Sequence, residues 1–136
     1  MKNIVAIIIG GFLLTSLGDA KELVLVCPDE IPAAIIRNVE VKPGWRIFNP
    51  NKLKLHSASF AGGQPEEMIE LVPTQVSKRK GATSEHWKFD GDEIWLRCAY
   101  GAAGQITLSR KVEGRQTECS VTYERESPSR IICVDG

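Results

Sequence analysis

The chain has 136 residues, 17 basic and 17 acidic side chains, and a hydrophobic share of 43%. That length fits one domain, and the even charge supplies no field to draw it to nucleic acid or to an anionic membrane. Chemistry beyond this rests on few side chains, chiefly four cysteines and two histidines.

Met1, Lys2 and Asn3 form a short basic start, and residues 4–14 are an unbroken run of apolar residues and glycine. The run has the length of a secretory h-region and is too short to span a bilayer. Gly18 and Ala20 put small residues at the two selective positions before a cut. The sequence therefore predicts a signal peptide over residues 1–20, cleaved after Ala20, and a single β-rich domain over residues 21–136. The alternative is an uncleaved N-terminal anchor. A lipid anchor does not fit, because Cys27 follows Val26 and lies well beyond the apolar run. Losing Lys2 and Asp19 with the signal peptide keeps the charge balanced. Export predicts a periplasmic location with no stable membrane anchor after cleavage. In that oxidising compartment Cys27, Cys98, Cys119 and Cys133 read as two disulfides. No two of them are close in sequence and neither histidine lies near one, so metal-ligand spacing is missing and no metal or cofactor is expected.

Along the chain, residues 22–27 are a β-type run ended by Pro28, with Leu23, Leu25 and Cys27 on one face. Residues 31–36 are apolar but too short to assign as a helix. Residues 39–41 are a weak strand, Pro43-Gly44 is a turn signal, residues 45–48 a short strand, and residues 49–51 another turn. Residues 53–60 alternate loosely as an extended strand. Residues 65–71 read as the one short helix. Pro65 sits in its first turn, Glu66 and Glu67 at its positive end, and Met68, Ile69 and Leu71 on its apolar side. Residues 75–84 are polar and read as a loop. Its basic triplet Lys78, Arg79 and Lys80 is either a binding patch for an acidic partner or an ordinary solvated stretch.

From His86 the β signal strengthens. Asp90-Gly91 is a hairpin cue between residues 86–89 and residues 93–100. A two-residue loop there puts Trp87 and Phe89 on the same buried face as Ile94, Leu96, Cys98 and Tyr100, and a one-residue slip would expose both aromatics. The opposite face carries His86, Lys88, Trp95 and Arg97. Residues 105–112 follow with Ile106, Leu108 and Val112 inward, then residues 118–124 with Cys119, Val121 and Tyr123 on one face. Residues 126–129 turn, and residues 131–134 close the chain. The fold class expected is mainly β (α+β): an antiparallel meander sheet with one short helix, stapled by two disulfides.

Four cysteines allow three pairings. In a meander, Cys98 and Cys119 sit on strands with another between them, roughly 9–10 Å apart and beyond disulfide reach. Cys119 and Cys133 flank one hairpin. The favoured pairs are therefore Cys27–Cys98 and Cys119–Cys133. Cys27–Cys133 with Cys98–Cys119 remains open and requires a different strand order.

No catalytic set emerges. The cysteines are expected to be oxidised, no nucleophile-elbow pattern surrounds a serine, and Ala61-Gly62-Gly63-Gln64 lacks the lysine of a phosphate loop. His56 and His86 are the residues a small hydrolase would use. Trp95 points away from the core by parity, beside Arg97, and that pairing is a common binding hot-spot composition. The competing reading is that the short helix or the N-terminal segment covers this face and makes Trp95 part of a second layer's core.

The ordered set Cys27-Pro28, Gly44-Trp45, Phe60-x-Gly62, Pro65-Glu66, Leu71-x-Pro73, Trp87-x-Phe89, Trp95-x-x-Cys98-x-Tyr100, Leu108, Cys119-x-x-x-Tyr123 and Ile132-Cys133 resembles an uncharacterised family of small exported four-cysteine proteins of Gram-negative bacteria. Some members lie near type VI secretion clusters. The resemblance spans nearly the whole exported part of the chain. It implies a periplasmic protein with its cysteines paired, and it carries no catalytic residues over. The function expected is that of a periplasmic binding module with a protein partner, an inhibitor or immunity protein against an envelope-targeting enzyme or toxin. An envelope accessory or structural protein is the alternative.

Overall fold

The computed structural model describes residues 18, 20–32, 34, 42–44, 46, 52–91 and 93–136. Nearly all of the signal peptide, the strand expected at residues 39–41, all but residue 46 of the strand expected at residues 45–48, the turn at residues 49–51 and residues 33, 35 and 36 lie outside the described residues.

Among the described residues the chain forms two antiparallel sheets. In spatial order the first runs β1 (Glu22–Leu25), β10 (Ser127–Asp135), β9 (Gln116–Glu124), β6 (Ala82–Lys88) and β5 (Gln75–Arg79). The second runs β2 (Glu30–Pro32), β3 (Lys52–Ala61), β7 (Trp95–Tyr100) and β8 (Ile106–Lys111), with the two-residue β4 (Glu70–Leu71) pairing on the far end of β3. The strands follow from period-two patterning: β7 alternates half-buried Trp95, Arg97 and Ala99 with buried Leu96, Cys98 and Tyr100.

The core lies between the sheets. Phe60, Leu96 and Tyr100 enter from one side and Trp87, Val121 and Cys133 from the other, all essentially sealed from solvent. Phe60 stands edge-on to both Trp87 and Phe89, with ring centroids 5.1 and 5.6 Å apart. Each such side chain contributes about 1.5–3 kcal/mol by burial. Polar tips of the core aromatics stitch the layers together. Tyr100 Oη donates to the Pro28 carbonyl (2.8 Å), Trp87 Nε1 to the Leu71 carbonyl (2.9 Å), and Tyr123 Oη to the Ala58 carbonyl (2.8 Å). These bonds satisfy groups that would otherwise be costly to bury.

The disulfides are Cys27–Cys98, from the end of β1 to β7, and Cys119–Cys133, between directly opposed residues of β9 and β10. The first ties one sheet to the other. The second lies within a sheet, with its Cα atoms 4.1 Å apart.

Four expectations are corrected. The single meander is two sheets, because β6 does not pair with β7. Both edges of β6 are taken by β5 and β9, and both edges of β7 by β3 and β8. The Asp90-Gly91 stretch is therefore a crossover between layers. The Phe89 N–H donates to Thr117 of the first sheet (2.9 Å), and the Ile94 carbonyl accepts from Val112 beside the second (2.9 Å). The inward face assigned by parity nevertheless holds, since both strands point into the same core.

The short helix is not formed either. Pro65–Glu67 make one 3-10 turn, Met68 stops it in the left-handed region (φ 50°), and Glu70–Leu71 pair with β3. Two helical turns need packing to persist, and Met68 and Ile69 are exposed. The basic loop is a hairpin: Lys78 and Arg79 lie on edge strand β5, and Lys80-Gly81 turn into β6. Being exposed on both faces, β5 lacks the alternation that marks a half-buried strand. Finally, the last hairpin turns at Arg125-Glu126, so β10 begins at Ser127, earlier than the sequence pattern indicates.

Candidate functional site

The outer face of the second sheet is built in rows across three strands. Trp95 lies between Ala61 and Lys111, Arg97 between Ser59 and Ser109, and Ala99 between Ser57 and Thr107. Small neighbours flank Arg97 on both sides and Trp95 on one, with Lys111 on the other side of Trp95. A β-bulge at His56 interrupts the β3–β7 register between Leu55 and Ser57, and it brings both His56 and Ser57 to the rim of one pocket. That pocket has a volume of about 230 Å³ and is lined by His56, Ser57, Ser59, Arg97, Thr107 and Glu70, among others. Gly104 closes one side. Its φ of +64° favours glycine, and a Cβ there would come within 3.2 Å of the Ala99 Cβ and 3.4 Å of His56.

Two acidic residues orient the large side chains. Trp95 Nε1 donates to Glu93 (2.8 Å), whose other oxygen meets Lys111 Nζ at 3.4 Å. The Trp95 hydrogen bond, and then Lys111, hold the Glu93 carboxyl below the usual carboxylate range. Arg97 pairs with Glu70 through one guanidinium nitrogen at 3.3 Å. Its side chain is 26% exposed against 62% for Glu70, so the guanidinium is held by the sheet while its partner sits at the rim.

Trp95 and Arg97 thus come together as their shared parity requires. The helix expected to cover them does not form, and both side chains remain partly open. Lys78, Arg79 and Lys80 lie elsewhere, on the edge of the other sheet, where Lys78 and Arg79 line a shallow depression with Tyr123, Arg125 and Glu126. Ser57, Ser59, Thr107 and Glu70 were not foreseen at the site. The alternating serines of β3 carry a signal, but it takes the β3–β7 register to place them beside Arg97.

As chemistry, the face offers a forked cation, hydroxyls and an indole, a set suited to recognition. His56 shares the pocket with Ser57 and Ser59, and among the described residues no hydrogen bond joins the imidazole to a hydroxyl. His86 is exposed, and its backbone carbonyl holds Thr74. Among the described residues no group of three or more His, Cys, Asp or Glu side chains is placed to hold a metal, and no helix is long and apolar enough to cross a membrane.

A two-layer β domain stapled within and between its sheets, with a half-open Trp–Arg face, defines the class: a small disulfide-stapled β protein with a surface suited to recognition. The chain matches the sequence model of the type VI secretion system Tli immunity protein family over residues 49–134, and it belongs to that family. The matched span runs from β3 through β10 and contains every residue of the outer face described above. No curated protein and no solved structure matches the chain.

Proposed function

We propose that this protein is a periplasmic immunity protein: it binds a toxin delivered by type VI secretion and blocks its action in the cell envelope. Membership of the Tli immunity family carries the reading. Two features support it. A pair of disulfides suits a protein that works in an oxidising compartment. The Trp–Arg face offers a guanidinium, an indole and hydroxyls, a set suited to protein contact.

The action proposed is stoichiometric. A rigid surface occludes or distorts the toxin and turns nothing over, so protection scales with the amount of protein present. The test is growth of cells that export to their own periplasm, one at a time, the type VI secretion toxins of the bacterium that carries this gene. Cells making the full-length protein survive, and cells making the chain without residues 1–20 die. Equal survival with and without the full-length protein would overturn the proposal.

A further inference from the structure

We infer that the pocket around Arg97 is the specificity site of this protein, and that it takes one acidic side chain from the surface of the toxin, with Trp95 in the next row of the same face as a flanking contact. The inference rests on the immunity reading and adds to it the place and the chemistry of recognition.

Arg97 is the observation that carries it. A guanidinium presents five donors in a rigid fork, and Glu70 engages one of its nitrogens. Around it, the hydroxyls of Ser57, Ser59, Thr107 and Ser109 have no hydrogen-bond partner among the described residues. Three of these hydroxyls, those of Ser57, Ser59 and Thr107, and the rest of a guanidinium converge on a pocket of about 230 Å³. That volume is below the roughly 300–1,000 Å³ of sites for drug-sized ligands, and it suits a single side chain.

Glu70 shows which chemistry the pocket accepts. It reaches Arg97 from a two-residue strand at the rim, with most of its side chain in solvent. An ion pair so exposed contributes little, about 0–1 kcal/mol, and gives way to a partner that closes the pocket from water. A carboxylate arriving on a protein surface does so, because the surrounding contact desolvates the pair and the free hydroxyls complete its hydrogen bonds. Trp95 beside it supplies the flat apolar area that hot spots use. Lys54 on the same strand as His56 forms no ion pair among the described residues and adds to the attraction for an acidic surface. The free energy of docking thus concentrates on Arg97, and Glu70 serves as its stand-in partner until the toxin arrives.

The test is titration calorimetry of the exported, oxidised protein against the toxin that the growth test identifies, with thermal unfolding of each variant as a check of folding. Arg97→Glu is expected to weaken binding roughly 100-fold and Ser57→Ala/Ser59→Ala roughly tenfold. Glu70→Gln frees the guanidinium and is expected to tighten binding roughly two- to fivefold, which loss of a merely structural contact would not do. Exchanging Lys78, Arg79 and Lys80 for glutamate leaves affinity within about threefold, since that edge lies on the other sheet. Should Arg97→Glu fail to fold, Glu70→Gln and the serine pair decide: tighter and weaker binding respectively support the site, and no change in either overturns it. A folded Arg97→Glu protein with wild-type affinity overturns the site and leaves the immunity reading standing. A wild-type protein that does not bind the toxin overturns both.

Discussion

Tyr123 shows how much of this fold depends on single polar atoms. Its hydroxyl donates to the Ala58 carbonyl at 2.8 Å and accepts from the Ala58 N–H at 3.3 Å, joining β9 of one sheet to β3 of the other. Tyr123→Phe removes both bonds and leaves the Ala58 groups without that partner. A loss of about 1–3 kcal/mol is expected, measurable by urea unfolding. Burial pushes the Tyr123 hydroxyl up to about 12, with nearby Glu85 adding to the effect and the Ala58 contact opposing it. Burial also raises Tyr100, with Asp29 contributing. A hydroxyl raised in the folded state stays neutral while its unfolded counterpart ionises, so the stability is intact below about pH 10 and is lost as pH rises from there through about 12. Wild-type stability should therefore fall over that window more steeply than that of Tyr123→Phe. Matching slopes would show that Tyr123 is not the group responsible.

At the scale of elements, the β9–β10 hairpin carries a visible cost. Its two-residue turn holds Arg125 and Glu126 at φ of 51° and 68°, a region that Asn and Gly enter far more easily. The double exchange Arg125→Asn/Glu126→Gly is expected to stabilise the protein by about 1 kcal/mol in thermal melts, without changing toxin binding. Edge strand β5 is guarded differently: Lys78 and Arg79 place charge along an exposed edge and discourage strand addition by another chain. These elements also mark what the sequence reveals and what it withholds. Parity along residues 93–100 separates Trp95 and Arg97 from Leu96, Cys98 and Tyr100, because alternation is local. It says nothing about which strand lies alongside. Asp90-Gly91 therefore reads as a hairpin when it is a crossover, and residues 65–71 read as a helix when tertiary pairing draws Glu70 and Leu71 into β3's sheet. The pocket was hidden for the same reason. Ser59 and Arg97 are far apart in sequence, and only the antiparallel β3–β7 register and the bulge at His56 bring the hydroxyls to the guanidinium.

At the scale of the whole molecule, the two disulfides act on different distances. Cys27–Cys98 closes 71 residues and Cys119–Cys133 closes 14. Constraint of the unfolded chain assigns about 4 kcal/mol to the first and about 3 kcal/mol to the second. Guanidinium unfolding of Cys27→Ser/Cys98→Ser and Cys119→Ser/Cys133→Ser should reproduce that order. The first pair matters for recognition as well, since Cys98 anchors the strand that displays Trp95 and Arg97. Removing that bridge should weaken toxin binding more than removing the other. Behind all of this stands the claim that the protein works by binding a toxin one to one. The most direct measurement titrates the activity of the toxin identified by the growth test with the exported, oxidised protein. Activity is expected to fall linearly and to end near one equivalent. Toxin activity that persists unchanged at a large molar excess of the folded protein would contradict it.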